Sequence, residues 1–150
     1  MADQATHSME IAASADRIVA VLLDFDHYPR WARDLKGVTV ESVDADGRGS
    51  EVTFRAAAMG RSTSYTLRYT YADDLSRISW ELVRGDIMRR LDGSYLLEPV
   101  NGTGERTRVT YHLAVDLIVP LPGFVKRRAE AKIINTALRE LRAHLEPARR

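Results

Sequence analysis

LPGFVKRRAEAKIINTALRELRAHL, residues 121–145, is the stretch whose reading decides the fold. After Pro120-Leu121-Pro122-Gly123 the apolar residues recur at a helical period. Ile134, Leu138, Leu141 and Leu145 form one stripe, with Phe124, Ala131 and Ala137 nearby. One long helix therefore closes the chain. What precedes it is not helical. From Val38 onward the period is two, which is the signature of half-buried strands.

Working back from the helix, Val109, Tyr111, Leu113, Val115 and Leu117 share one face of the last strand. Leu91, Gly93, Tyr95 and Leu97 share a face of the strand before it, and Ile78, Trp80 and Leu82 of the one before that. Tyr65, Leu67, Tyr69 and Tyr71 alternate with Ser64, Thr66, Arg68 and Thr70, the clearest strand in the chain. Val52, Phe54 and Ala56 make another inward set, and Val38, Val40 and Ser42 another. Turn residues separate these runs at Asp44–Gly49, Met59-Gly60, Arg84–Asp86 and Asn101–Gly104. The spacings predict a meander of antiparallel hairpins.

The start of the chain differs. Thr6–Ile11 alternates weakly and reads as a first strand, expected to pair with or near the last one. Ser14 offers an N-cap, followed by Ile18, Val21, Leu22 and Phe25 at helical spacing. Pro29 ends that run inside Asp26–Trp31, which reads as a short second helical turn. The predicted order is strand, two short helices, six strands, long helix. A strongly curved sheet covered by a single helix does not fill its own interior, so a cavity is expected between them.

Composition excludes several chemistries. With no cysteine there is neither a disulfide nor a thiolate nucleophile. The four histidines, His7, His27, His112 and His144, have no metal-binding spacing, and Gly47-Arg48-Gly49 and Gly102-Thr103-Gly104 lack the helix that a nucleotide loop needs. No metal and no cofactor is expected. Met1–Gln4 shows no basic region followed by an apolar run, so a secretory signal is not expected; no apolar run approaches the roughly 18 residues that span a bilayer, and a cytoplasmic location is the expectation. The net charge of +1 is uneven: residues 122–150 hold eight Lys/Arg against three Asp/Glu. Those cations either form a solvated helix face, favoured near its C-terminal end by the dipole, or attract an anionic lipid surface. They lack interleaved aromatics, so nucleic acid is not an expected partner.

The element order resembles the START-like, or SRPBCC, helix-grip superfamily, which includes polyketide cyclase/dehydrase-like proteins, plant pathogenesis-related proteins and lipid-transfer domains. Within it the local features are most similar to the polyketide cyclase/dehydrase and lipid-transport group. Asp24–Trp31 is similar to that group's D-x-x-x-Y-P-x-W stretch. Thr107-Arg108-Val109-Thr110-Tyr111 resembles its V-T-Y strand after a Gly-Thr turn, and Val115-Asp116 before Pro120-Leu121-Pro122 resembles its hinge into the last helix. The resemblance covers nearly the whole chain. It implies one helix-grip domain over residues 1–150, an α+β fold in which a curved seven-stranded antiparallel sheet wraps the C-terminal helix. It also implies a hydrophobic cavity between the two. The superfamily shares no universal catalytic set, so no catalytic residue is carried over.

By parity, Phe54, Tyr65, Leu67, Tyr69, Trp80, Leu82, Leu91, Tyr95, Val109, Tyr111 and Leu113 line the concave face. Trp31 is expected at one end of the cavity, and Phe124 and Ile134 approach from the helix. Arg89 shares parity with Leu91; it either points inward, calling for an anionic or carbonyl-rich ligand, or lies at the strand's solvent-exposed start. His27 is an acid–base candidate if its turn opens onto the cavity, and a surface residue otherwise. Such a wall, apolar with a few hydroxyls, suits a small hydrophobic ligand such as a lipid, polyketide or isoprenoid. Two other readings stay open: a polyketide aromatase or cyclase using Tyr69, Tyr95, Tyr111 and Arg89, and a membrane-surface module using the basic final helix. The oligomeric state is not readable from the sequence.

Overall fold

The computed structural model describes residues 3–146 apart from 59, 101 and 103. Met59 of the Met59-Gly60 turn, and Asn101 and Thr103 of the Asn101–Gly104 turn, lie outside the described residues. The element order is β1 (Asp3–Ile11), α1 (Ala15–Leu23), a 3₁₀ helix (Phe25–Arg30), β2 (Leu35–Val43), β3 (Gly49–Ala58), β4 (Arg61–Tyr71), β5 (Arg77–Gly85), β6 (Met88–Pro99), β7 (Thr107–Leu117) and α2 (Gly123–Leu145). The strands form one antiparallel sheet in the order β1-β7-β6-β5-β4-β3-β2. The expected pairing of first and last strands holds, with His7 opposite Tyr111 and Ile11 opposite Thr107.

Local sequence explains the punctuation. Ser14 caps α1 by accepting the Arg17 N–H at 3.2 Å, and Ile18 and Leu22 bury its inner face completely. Register shifts in β2, at Thr66/Leu67 and at Met88/Arg90 interrupt the ladders. Such bulges bend a sheet and increase its twist, which is what lets seven strands curl round one helix. The shift after Val40 also takes Ser42 off the inward set, leaving it exposed.

The long helix is held at both ends by carboxylates. Lys126 reaches Asp116 of β7 at 2.8 Å, and the fully buried Glu130 accepts the Leu117 N–H at 2.8 Å. At the far end Glu146 accepts the Ala12 N–H and pairs with Arg142 at 3.6 Å. The Lys126 hydrogen bond and charge hold the Asp116 carboxyl below its ordinary value, against the opposing effect of burial. The Ala12 hydrogen bond does the same for Glu146, again against burial, with help from Arg142.

A carboxyl whose folded pKa is depressed stabilises the fold above its unfolded pKa and ceases to do so as the pH falls through the folded value. Stability is therefore expected to be level from pH 7 to about 5 and to fall below about 4, by about 1 kcal/mol for each of the two groups. Urea midpoints across this range, with Asp116→Asn and Glu146→Gln, check it. A wild-type midpoint unchanged down to pH 3, or variants with an undiminished acid slope, would refute the assignment.

Candidate functional site

A cavity of about 540 Å³ lies between the concave face of the sheet and α2. Each strand from β3 to β7 contributes side chains to it. Phe54 comes from β3, Tyr65, Leu67 and Tyr69 from β4, Trp80 from β5, Leu91 and Tyr95 from β6, and Tyr111 and Leu113 from β7. The 3₁₀ helix and the residue after it add Tyr28 and Trp31. The cavity reaches the surface where Asp34, Ala57, Gly60 and Lys132, all exposed, meet at its edge.

The rings form a continuous wall. Trp80, Tyr95 and Tyr111 are mutually in contact, with centroids 5.1–6.0 Å apart, and Tyr69 adds to Trp80 at 5.8 Å. Phe25, outside the lining, backs Tyr28 at 5.2 Å and Tyr69 at 4.8 Å. Trp80 lies across Gly93, its ladder partner on β6. A Cβ at position 93 would stand 2.4 Å from the His112 carbonyl oxygen and 2.7 Å from the indole, so only glycine lets the ring settle there.

The tyrosines divide into two groups. Tyr28 donates its hydroxyl to the Leu22 carbonyl and Tyr71 donates to the Gly49 carbonyl at 2.6 Å, so both are structural donors. No protein group among the described residues accepts a hydrogen bond from Tyr65, Tyr69, Tyr95 or Tyr111, and all four line the cavity. Burial pushes all four hydroxyls up from the ordinary tyrosine value. The nearby Asp34 adds to this for Tyr65, and Glu140 for Tyr95. Held neutral, they offer O–H donors rather than bases.

Five predicted lining residues, and the acid–base candidate His27, lie outside the cavity lining. Arg89 is excluded by the bulge at Met88/Arg90, which puts Met88 opposite Leu117 and Arg90 opposite Asp116 and leaves Arg89 out of the ladder. Its side chain is 67% exposed, with Nε 3.8 Å from Asp116. Phe124 is 60% exposed in the first turn of α2. Ile134 is buried in the core but outside the cavity lining, and Leu82 is half-buried against that core. Val109, also expected on the wall, is fully buried outside the lining. His27 stands on the surface with its Nδ1 2.7 Å from Asp24, away from the cavity lining.

The helix meets the cavity with residues other than Phe124 and Ile134. Ile134, Leu138, Leu141 and Leu145 pack into the core, while Ala129, Lys132, Ile133, Thr136, Ala137 and Glu140 face the cavity. The signal was present as a second row, Ala129-Ile133-Ala137 at i, i+4 spacing, beside the larger stripe. The alanines at 129 and 137 leave space on that face. Thr63, Ile87 and Met88, which the sequence does not single out, also line the cavity, as does Leu117 from the face of β7 that carries Tyr111 and Leu113. Among the described residues no cluster of His, Asp and Glu is placed to hold a metal ion.

Seven antiparallel strands curled round one long helix, with an aromatic cavity between them, define a helix-grip fold. A family model described as polyketide cyclase / dehydrase and lipid transport matches residues 2–146, and the chain belongs to that family. Among solved structures, a START superfamily protein from Mycobacterium smegmatis is similar over 95% of this chain and 97% of its own, at 24% identity and a TM-score of 0.84. The Zhui aromatase/cyclase from Streptomyces sp. R1128 is similar over 97% of this chain and 90% of its own, at 16% identity and a TM-score of 0.72. The major latex-like protein 151 of Panax ginseng is similar over 97% of this chain and 99% of its own, at 14% identity and a TM-score of 0.69. These likenesses establish the fold. No curated protein matches the chain.

Proposed function

We propose that the cavity binds one small, largely apolar molecule carrying oxygen acceptors, of lipid, polyketide or isoprenoid type. The observation that carries this reading is the set of four neutral tyrosine hydroxyls, from Tyr65, Tyr69, Tyr95 and Tyr111, that line an otherwise apolar cavity without protein partners. Burial of the ligand's body supplies affinity, and the hydroxyls orient its carbonyl or ether oxygens. Burying about 300 Å² of apolar ligand contributes about 7 kcal/mol before association costs. Of the predicted residues, Trp31, Phe54, Tyr65, Tyr69, Trp80, Tyr95 and Tyr111 remain proposed ligand contacts, and Tyr28, Ala137 and Ile133 join them.

A cavity-filling substitution tests this. Ala137→Phe adds a ring on the helix face that lines the cavity. It is expected to weaken saturable binding of a neutral dye such as Nile red at least about tenfold while leaving the thermal midpoint nearly unchanged. Wild-type protein that neither binds the dye saturably nor releases an apolar compound on organic extraction would defeat the reading.

The family's description favours a second, catalytic reading, in which the same pocket folds a poly-β-keto chain and the tyrosines polarise its carbonyls. Arg89 has no part in it, being outside the cavity lining. An altered cyclisation product profile that Tyr69→Phe, Tyr95→Phe and Tyr111→Phe abolish distinguishes catalysis from binding alone.

A further inference from the structure

We infer that the β7–α2 junction is a docking surface for an anionic lipid bilayer. Large hydrophobic side chains are well exposed at only three described positions, and two of them, Ile118 at 49% and Phe124 at 60%, flank this short segment. Between them run Val119-Pro120-Leu121-Pro122, and directly after them come Lys126, Arg127 and Arg128. An apolar edge backed by cations matches the depth profile of a bilayer surface, with rings and aliphatic groups at the acyl boundary and guanidinium groups among the phosphates.

The helix dipole does not favour cations at this end. The positive end of a helix dipole lies at its N-terminus, where Asp or Glu is favoured. The first turn of α2 holds no acidic residue, and its N-cap, Pro122, has no side chain that could accept from the first-turn N–H groups. Lys126 is committed to Asp116, but no ion pair is made by Arg127 or Arg128 among the described residues. Arg89, exposed by its bulge, approaches the same Asp116 and widens the basic surface. Charge complementarity therefore selects an anionic partner.

The patch adjoins the cavity. The Ile118 N–H donates to the Ile87 carbonyl, and Ile87 and Leu117 both line the cavity wall, as does Lys132 further along α2. Docking by this edge brings that end of the cavity to the lipid surface. The inference does not depend on what the cavity binds, because its test reads membrane association rather than dye binding.

The experiment is co-sedimentation of the full chain with phosphatidylcholine vesicles, with and without phosphatidylserine. Binding is expected only with phosphatidylserine and should weaken as salt is raised. Arg127→Ser with Arg128→Ser is expected to lower partitioning roughly 25-fold, at about fivefold per cation. Phe124→Ser should lower it at least about tenfold. Val43→Ser, at the third exposed hydrophobic position on the β2–β3 hairpin, should leave it unchanged. All these side chains are exposed, so the variants should keep the wild-type thermal midpoint. Equal binding to both vesicle types, no binding to either, or binding indifferent to Phe124→Ser would overturn the inference. So would a dimer in the absence of lipid that Phe124→Ser dissociates, since a second copy would then be the occupant.

Discussion

Gly93→Ala is expected to destabilise the fold by about 3 kcal/mol, near the upper end of what one overpacking change does. The added methyl group would lie 2.4 Å from the His112 carbonyl oxygen of β7 and 2.7 Å from the Trp80 ring. Two remedies exist, and neither is cheap. Moving β7 breaks the ladder that pairs Gly93 with Leu113 and Ser94 with His112. Moving Trp80 disturbs Tyr69, Tyr95 and Tyr111, which it touches. Trp80→Phe frees room on the ring side only, so it is not expected to rescue Gly93→Ala, because the backbone contact persists. Denaturant unfolding of the single and double variants checks this. A loss below about 0.5 kcal/mol for Gly93→Ala, or full rescue by Trp80→Phe, would show that the backbone contact is not limiting.

Leu141→Ala should cost a comparable 3–4 kcal/mol, a large share of the roughly 5–15 kcal/mol that holds a domain of this kind. Leu141 is 0% exposed and sits in the row of α2 that packs into the core with Leu138 and Leu145. Truncation removes buried methyl groups and leaves a void that helix and sheet close only partly. The thermal midpoint should drop by about 10 °C, at about 2–4 °C per kcal/mol for a chain of this size. The contrast with Ala137→Phe is informative. That position lies one turn earlier on the cavity side, where added bulk has space to enter. If Leu141→Ala proved mild and Ala137→Phe severe, the assigned rotation of the helix would be wrong.

Much of the fold was legible because period is a local property. The alternation in β4 and the 3.6 spacing in α2 follow from backbone geometry alone, and Ser14 marks the start of α1 by the hydrogen bond its side chain accepts. The concave aromatic set followed from parity, and Phe54, Tyr65, Tyr69, Trp80, Tyr95 and Tyr111 do share one cavity wall. Parity left Arg89 open between the wall and the strand's exposed start, and a bulge puts it outside. Nothing in Met88-Arg89-Arg90 announces that Arg89 leaves the ladder, because the bulge is set by how β6 meets β7. The helix misled for a related reason. Ile134 of its apolar stripe is expected at the cavity, yet it packs into the core with Leu138, Leu141 and Leu145, and the neighbouring row Ala129-Ile133-Ala137 faces the cavity.

The sequence by itself determined the element order, the antiparallel meander, the closing helix and the aromatic character of the inner face, since each rests on residue type and spacing. Tertiary structure alone decided which helix row faces the cavity and where Arg89 points. It also decided that four tyrosine hydroxyls are left without protein partners and that Phe124 stands clear of the core. These depend on the curvature of the sheet and on the meeting of residues far apart in the chain, and local periodicity does not encode such distances.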